Sequence, residues 1–458
     1  MEKGLKENKM GVMPINKLLI SMSLPMVISM LMQAFYNVVD SFFVAKVSED
    51  ALTAVSLVFP VQNLMIAFST GIAVGVNAVI SKALGERDRK TANRAAMQGI
   101  LIEAVFCVMF LFIGIFLSGV FMRTQTSSSD IVKMGKSYMQ VVCCGACGIY
   151  SEIIFERLLQ STGKTVYSMI SQMSGAVINI ILDPCLIFGL GIFPKLGVTG
   201  AAVATVIGQV IAGIMAILFN KYKNEELTLK LSGFKPEFKI IGKILYVGIP
   251  SVIMVAIGSI MVYFINRILI MFTTTAVAVF GVYFKLQSFA FMPIFGINNG
   301  MIPIIAYNYG AGKKQRMKKT VMLSMVYAVC IMLIAFAVMQ LFPSELLSIF
   351  DAGEDMMYIG TMALRRISLS FLFAGICVIT GSVCQALGKG VYSMLVSLVR
   401  QLVVLVPAAY LLSLSGKVEN VWFAWPIAEI ASLIMSTIFL YLSFKKLKWN
   451  HVGGAPKE

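Results

Sequence analysis

Six residues in the first half of the chain, Asn179 to Pro184, combine side chains that are typical of an ion site. Asp183 is the only formal charge in an apolar run from Tyr167 to Leu190, which is long enough to span a bilayer. A carboxylate at membrane depth costs about 2.5–3.5 kcal/mol on insertion scales, so it persists where it faces a cavity or a partner. Asn179 lies one turn earlier on the same helix face, and Pro184 leaves nearby carbonyls unsatisfied. The pattern indicates a cation or proton site, or a buried aspartate that only bonds a neighbouring helix.

A second acid, Asp40, lies near the end of the first apolar run and is expected at a depth similar to that of Asp183. It follows Pro25 by fifteen residues, about 22 Å along a helix. Two carboxylates that share a poorly hydrated site do not both stay ionised, so one takes a proton or the pair binds a cation. The alternative for Asp40 is an interfacial charge that caps its helix. Pro25 is a candidate hinge, or an architectural kink without a switching role.

Four further acids lie within apolar runs. Glu152 and Glu156 are one turn apart and form a candidate anionic wall for an organic cation, although Glu156 alternatively extends to the cytoplasmic interface. Glu103 and Glu429 are isolated, and we expect structural pairing for them. Two basic residues are candidates to neutralise Glu429, namely Lys285 and Arg400.

The composition predicts a polytopic α-helical membrane protein. Of 458 residues, 58% are hydrophobic and 13% charged, whereas soluble domains average about 25% charged residues. The first apolar run is too long for the core of a cleaved signal peptide. The net charge of +16 does not indicate a nucleic-acid partner, because most of the lysines and arginines lie on one alternate set of loops. This positive-inside pattern predicts that both termini are cytoplasmic.

Catalytic and metal-binding motifs are missing from the sequence, which argues against an enzyme. The only histidine, His451, lies in the polar tail, so zinc chemistry and histidine-based catalysis are not expected. Cys143, Cys144 and Cys147 have a knuckle-like spacing, but they lie in an apolar run without further ligands and are expected to be packing residues. Neither HExxH, a Walker loop nor GxSxG occurs.

Twelve apolar runs each hold the ~20 residues that a bilayer crossing needs. We predict helices over 16–44, 52–82, 95–121, 134–160, 166–190, 198–220, 241–272, 276–309, 318–342, 358–386, 391–413 and 419–444. The corresponding domains are an N-terminal six-helix lobe, a cytoplasmic connector, a C-terminal six-helix lobe and a cytoplasmic tail, at 1–220, 221–240, 241–444 and 445–458.

The two predicted lobes are copies of one another, displaced by 225 positions, as from Pro25 to Pro250. The same offset superimposes further glycines and glutamines without a gap, including Gln62 on Gln287, Gly71 on Gly296, Gly75 on Gly300, Gly85 on Gly310 and Gln160 on Gln385. Six helices per copy is an even number, so both copies insert with the same orientation. A pseudo-twofold axis along the membrane normal, with a cavity between two bundles, is typical of transporters.

The acids do not follow this repeat. Their counterparts in the second copy are not acidic, since Asp40 falls on Ile265, Glu152 on Cys377, Glu156 on Gly381 and Asp183 on Ala408. The neighbouring amide Asn179 falls on Val404. A residue needed only for the fold tends to recur in both copies, whereas a site residue need not. The comparison therefore favours a functional role for Asp183.

Several motifs together resemble the MATE family, the multidrug and toxic compound extrusion transporters, and its MepA-like bacterial branch in particular. The motifs cover nearly the whole chain: Leu24-Pro25 with Asp40, LGERD at 84–88, LLQSTGKT at 158–165, NIILDPCLIF at 179–188 and LGVTGAAVAT at 196–205. The resemblance implies twelve helices in two lobes and an antiporter that exports cationic amphipathic compounds in exchange for protons or sodium.

The resemblance also implies an ion site in the N-terminal lobe, made by Asp40, Asn179, Asp183 and Thr205 with the backbone carbonyl of Ala201. Some members place these acids in the C-terminal lobe, but here that lobe offers only Glu429 within a span. The implied partners are cationic lipophilic drugs or dyes and membrane lipids. The implied protein is a monomer of the bacterial cytoplasmic membrane, with no prosthetic cofactor and no metal other than sodium at Asp40 and Asp183.

Other functions remain open at this point. A flippase for lipid-linked precursors shares the two-lobed plan, but a pyrophosphate substrate favours a cavity rich in arginine and lysine. A transporter for a cationic metabolite also fits, since alternating access is reversible. An intramembrane enzyme or receptor lacks a nucleophile and base at recognisable spacing.

Overall fold

The computed structural model describes residues 7–230, 234–350 and 352–445. Within them, eleven continuous helices are long and apolar enough to cross a membrane, and a bent pair of helices meets the same criterion when taken together. These helices are α1 (Ile15–Ala45), α2 (Glu49–Gly85), α3 (Arg89–Gln125), α4 (Ser129–Cys144 and Ala146–Ser161), α5 (Thr165–Phe188), α6 (Val198–Lys223), α7 (Phe238–Leu269), α8 (Thr274–Gly310), α9 (Lys314–Leu341), α10 (Glu354–Ala386), α11 (Gly390–Ser413) and α12 (Val418–Lys445).

The predicted all-helical membrane fold is therefore confirmed, with one local correction. The fourth helix was predicted as one piece over 134–160, but it begins at Ser129 and bends by 43° at Gly145. A glycine has no side chain to support a straight helix, and the Gly145 amide bonds back to Val141 while the next segment starts in a new direction. Two short helices, Lys9–Val12 and Pro343–Ser348, add to the twelve. The tail at 446–458, including His451, lies outside the described residues.

The repeat is visible in the turns that begin and end the helices. Ser48 caps α2 by accepting a hydrogen bond from the Ala51 amide at 3.0 Å, and its counterpart Thr273 caps α8 by the same bond from Ala276 at 3.0 Å. The turn before α5 has Gly163 at φ 84°, and the turn before α11 has its counterpart Gly388 at φ 74°. The left-handed backbone at both positions explains why glycine recurs there.

The interface between α1–α6 (the N-terminal bundle) and α7–α12 (the C-terminal bundle) is built on the repeated glycines. A Cβ on Gly75 of α2 would lie 2.3 Å from the Ile244 carbonyl oxygen of α7, and one on Gly300 of α8 would lie 2.5 Å from the Ser23 hydroxyl of α1. Only glycine lets the helix backbones approach so closely. The sequence repeat thus marks the surfaces through which the bundles pack.

The turns α2–α3, α4–α5, α8–α9 and α10–α11, the N-terminal segment and the segment after α6 lie at one end of the molecule, which we call the basic end. Arg89 of the first turn pairs with Glu226 at 2.9 Å, and Asn8 donates both to Glu226 at 3.0 Å and to the Thr162 carbonyl at 3.1 Å. Burial, with a smaller contribution from the Lys164 charge, lowers the pKa of Lys9.

The N-terminal segment Glu7–Met13 also reaches the C-terminal bundle. The fully buried Met10 accepts hydrogen bonds at its carbonyl from Asn308 at 3.0 Å and from Arg316 at 3.2 Å. Arg316 also donates to the Met13 carbonyl at 2.7 Å, and Lys313 forms an ion pair with Glu7. Together with the Asn8 contacts, these bonds make the segment a clasp between the two bundles.

Candidate cation site and cavity

Helices α5 and α6 position the residues of the predicted ion site. Their backbones come close at two glycines, since a Cβ on Gly175 would lie 2.8 Å from the Gly208 carbonyl oxygen. This approach brings together the side chains that follow Gly175 on α5 and those that precede Gly208 on α6. Asp183 and Asn179 are one turn apart on α5, while Thr205 and the fully buried Ala201 are one turn apart on α6.

A hydrogen-bonded cluster joins three of the predicted residues. The Asn179 amide nitrogen lies 3.4 Å from Asp183 Oδ1 and 3.3 Å from Thr205 Oγ1. Asp183 is 0% exposed and Asn179 is 3% exposed. The remaining oxygens, Asp183 Oδ2 and Asn179 Oδ1, are buried and have no hydrogen-bond partner among the described residues. Buried acceptors are normally satisfied, so this set of oxygens fits a proton or a small cation.

Asp40 belongs to the same region of the N-terminal bundle. Its carboxylate lies within electrostatic range of that of Asp183, and its Oδ1 is buried without a hydrogen-bond partner in the described part of the chain. The phenol groups of Tyr36 and Tyr138 lie within electrostatic range of Asp40, and Tyr138 accepts a hydrogen bond from Gln62 at 3.3 Å. Both predicted acids therefore lie in the N-terminal bundle, on the packed helices α1 and α5.

A cavity of about 160 Å³ opens next to this cluster. Asn179 and Thr205 form part of its wall, and so do both predicted acids Glu152 and Glu156. We predicted a cavity between the bundles, but the C-terminal bundle contributes only Asn299 among the described lining residues. This cavity therefore lies within the N-terminal bundle, with the C-terminal bundle at one point of its wall.

Several polar side chains that line this cavity were not among the predicted site residues. Arg157, 7% exposed, lines it and donates from Nη1 to Asn299 Oδ1 of the C-terminal bundle at 3.1 Å. Four glutamines also line it, Gln33, Gln160, Gln172 and Gln209. Comparison of the two sequence copies, which distinguished the acids, also distinguishes Arg157, because its counterpart in the second copy is the uncharged Ser382.

The isolated acid of the C-terminal bundle is paired, as expected. Arg400 Nη1 lies 3.4 Å from Glu429 Oε2, so Arg400 rather than Lys285 is its partner. Lys285 instead lies 5.8 Å over the Phe350 ring. In the N-terminal bundle, Glu103 is 2% exposed and lies within electrostatic range of Arg157.

Pro25 lies within the continuous helix α1 and affects the bonding of one carbonyl. A proline cannot bond the carbonyl four residues earlier, which here belongs to Ser21. The Thr165 hydroxyl, at the start of α5, donates to that carbonyl at 3.4 Å. The predicted hinge is therefore tied directly to the helix that carries Asp183.

The MatE family model matches this chain twice, over residues 25–185 and 250–411, one match in each bundle. The multidrug export protein MepA of Staphylococcus haemolyticus is 27% identical over 427 residues, 93% of each chain. The FAD transporter of Shewanella oneidensis is 25% identical over 435 residues, 94% of each chain.

Solved structures of transporters share the fold. A MOP superfamily transporter from Pyrococcus furiosus, whose binding pocket is described as reversed in polarity, superimposes with a TM-score of 0.90 at 25% identity, covering 97% of this chain and 99% of its own. An outward-facing multidrug resistance MATE transporter gives 0.89 at 25% identity, with the same coverage. Since the family model covers more than half of the chain, the resemblance is confirmed, and the chain belongs to the MatE family of membrane transporters.

Proposed function

We propose that this protein exports cationic amphipathic compounds by alternating access, in exchange for protons or sodium bound at Asp40 and Asp183. The supporting observation is the pair of unpartnered buried oxygens on Asp183 and Asn179, beside a cavity with an acidic wall. Thr205 and the Ala201 carbonyl complete the proposed ion site. The lack of counterparts for these acids in the second copy supports a role in coupling rather than in folding.

The cavity residues support a cationic substrate. Glu152 and Glu156 provide two carboxylates one turn apart, and Met26, Met30 and Tyr36 provide adaptable apolar contacts. The relative named for multidrug export supports drugs or dyes as the substrates. A flippase for lipid-linked pyrophosphates is less well supported, because Arg157 is the only basic side chain among the described lining residues.

In this mechanism, ion binding changes the charge beside α1. Neutralising one carboxylate removes the repulsion between Asp40 and Asp183, which lets α1 pack differently against α5 about Pro25. The bond from Thr165 to the Ser21 carbonyl transmits movement between the two helices. Bending of α1 reshapes the cavity, because Met26, Met30, Gln33 and Tyr36 of that helix line it.

The available driving force depends on how many protons are exchanged for each substrate cation. Exchange of one proton for one monovalent cation is electroneutral, so only the pH difference drives it, at about 1.4 kcal/mol per pH unit. Exchange of two protons adds the membrane potential, about 2.3 kcal/mol per charge per 100 mV. Two carboxylates permit either count. We place the protein as a monomer in the bacterial cytoplasmic membrane with the basic end, and both termini, in the cytoplasm.

The test is transport into proteoliposomes that carry a fluorescent lipophilic cation and either a pH gradient or a sodium gradient, imposed separately. Gradient-driven movement that the Asp183→Asn variant abolishes supports the proposal, and the effective gradient identifies the ion. Glu429→Gln is the matched control, since it removes a paired acid of the other bundle. Normal coupled transport by Asp183→Asn would overturn the ion site, and absence of transport by the wild type under both gradients would overturn the antiport.

A further inference from the structure

A second concave site lies at the basic end, on the outer surface of the molecule. This groove of about 500 Å³ runs along the seam where α2 of the N-terminal bundle meets α7 and α10 of the C-terminal bundle. We call it the seam groove. Its walls combine apolar residues of these helices with four charged ones, Lys82, Glu86, Lys239 and Lys243.

The mouth of the seam groove carries an excess of positive charge. Lys239 and Lys243, one turn apart on α7, are both exposed, and neither forms an ion pair within the described ranges. Lys82 lies across the groove on α2, where it pairs with Glu86 at 3.7 Å, an exposed and therefore weak contact. With three lysines and one glutamate, the lining favours an anionic ligand.

The rest of the groove is apolar and continues into an exposed hydrophobic stripe. Ala78, Val79 and Ala83 form the α2 wall, while Gly242 leaves open space on the α7 side, where a Cβ would meet nothing within 4 Å. Further along the same face of α7, Tyr246, Ile249 and Ile253 are 58%, 48% and 40% exposed. Residues spaced by three and four share one helix face, so charge and apolar surface follow one another along α7.

We propose that the seam groove binds an anionic phospholipid. The lipid phosphate is held by Lys239 and Lys243 with Lys82 opposite, and an acyl chain follows Tyr246, Ile249 and Ile253 towards the membrane core. Basic pockets between helices at the cytoplasmic face suit such headgroups. Because the walls come from both bundles, a bound lipid contacts both and stabilises their present arrangement.

The test is native mass spectrometry of the purified protein titrated with phosphatidylglycerol or with phosphatidylcholine of the same acyl chains. Wild-type protein is expected to bind the anionic lipid at least tenfold more tightly. Lys239→Gln/Lys243→Gln is expected to weaken that binding by about 30-fold, from the usual contribution of two lysines at an anionic surface, and Lys243→Gln alone by about fivefold. Glycerol phosphate, which lacks acyl chains, is expected not to compete.

The matched control is Lys318→Gln/Lys319→Gln, which removes two adjacent exposed lysines of α9 at the same end but outside the groove. It is expected to bind the anionic lipid within twofold of the wild type. Equal losses in the two double variants would show non-specific attraction to the basic end and overturn the proposal. Equal binding of the two lipids by the wild type would overturn it as well. Both readouts are independent of transport, so they hold whichever ion drives it.

Discussion

The two bundles share their scaffold but treat buried acids in opposite ways. The caps at Ser48 and Thr273 and the interface glycines Gly75 and Gly300 are equivalent. Glu429 in the C-terminal bundle and Asp183 in the N-terminal bundle each keep one buried oxygen without a hydrogen-bond partner among the described residues. The other oxygen of Glu429 has a counter-charge, Arg400 Nη1 at 3.4 Å, whereas the other oxygen of Asp183 has only the neutral Asn179 amide at 3.4 Å. A buried acid with a counter-charge is already neutralised, whereas one without a counter-charge still needs a proton or a cation. The difference between copies therefore locates the proposed chemistry in the N-terminal bundle.

The largest expected effect tests the paired acid. Arg400→Met leaves the buried Glu429 carboxylate without its counter-charge, which is expected to lower the free energy of unfolding by about 3 kcal/mol. The midpoint of thermal unfolding in detergent measures this loss. The double variant Arg400→Met/Glu429→Gln is expected to regain most of it. Unchanged stability of Arg400→Met would show that the Arg400–Glu429 pair is not structural and would weaken the contrast between the acids of the two bundles.

Asp183, which has no counter-charge, is expected to matter for transport rather than for stability. Asp183→Asn removes a buried carboxylate that lacks a full set of partners, so stability is expected to stay the same or rise. Coupled transport in proteoliposomes is expected to fall at least about 100-fold, which corresponds to about 2.7 kcal/mol. A variant that loses stability and transport together would instead place Asp183 among the structural residues.

The interface glycines test the equivalence of the two copies. Gly75→Val and Gly300→Val each place a side chain against a helix backbone of the other bundle, and each is expected to cost about 2 kcal/mol from overpacking. The same thermal assay compares them, with Gly242→Val as the control, because that glycine faces open space. Markedly unequal losses at Gly75 and Gly300 would show that the two surfaces are not equivalent.

The smallest effect concerns the helix caps. Ser48→Ala and Thr273→Ala each remove one side-chain bond to the first turn of a helix, at about 1 kcal/mol apiece. Thermal unfolding again provides the measurement. Ser56, whose hydroxyl bonds only to the Leu52 carbonyl within α2, is the control, and Ser56→Ala is expected to be nearly neutral. If only one cap variant loses stability, the capping bonds of the two copies do not contribute equally.

Sequence patterns predicted the helices and the repeat, because both depend on local spacing, and they marked the buried acids as candidates for an ion site. Apolar length identifies a crossing helix whatever its partners, and the constant offset identified the glycines that the structure places at the interface. The bend at Gly145 was not predictable, because a single glycine within an apolar helix is often accommodated without any bend. Arg157 and the glutamines of the cavity were missed for a similar reason. Their role depends on which helices face the same space, and that is decided by long-range packing.

The clasp made by Glu7–Met13 has a consequence for how the chain is assembled. Its residues are synthesised before those that bind the Met10 carbonyl, since Asn308 and Arg316 lie 298 and 306 positions further on. These two bonds to the Met10 carbonyl therefore form only after α8 and α9 have been synthesised. Docking of the clasp is thus a late step of assembly that requires both bundles.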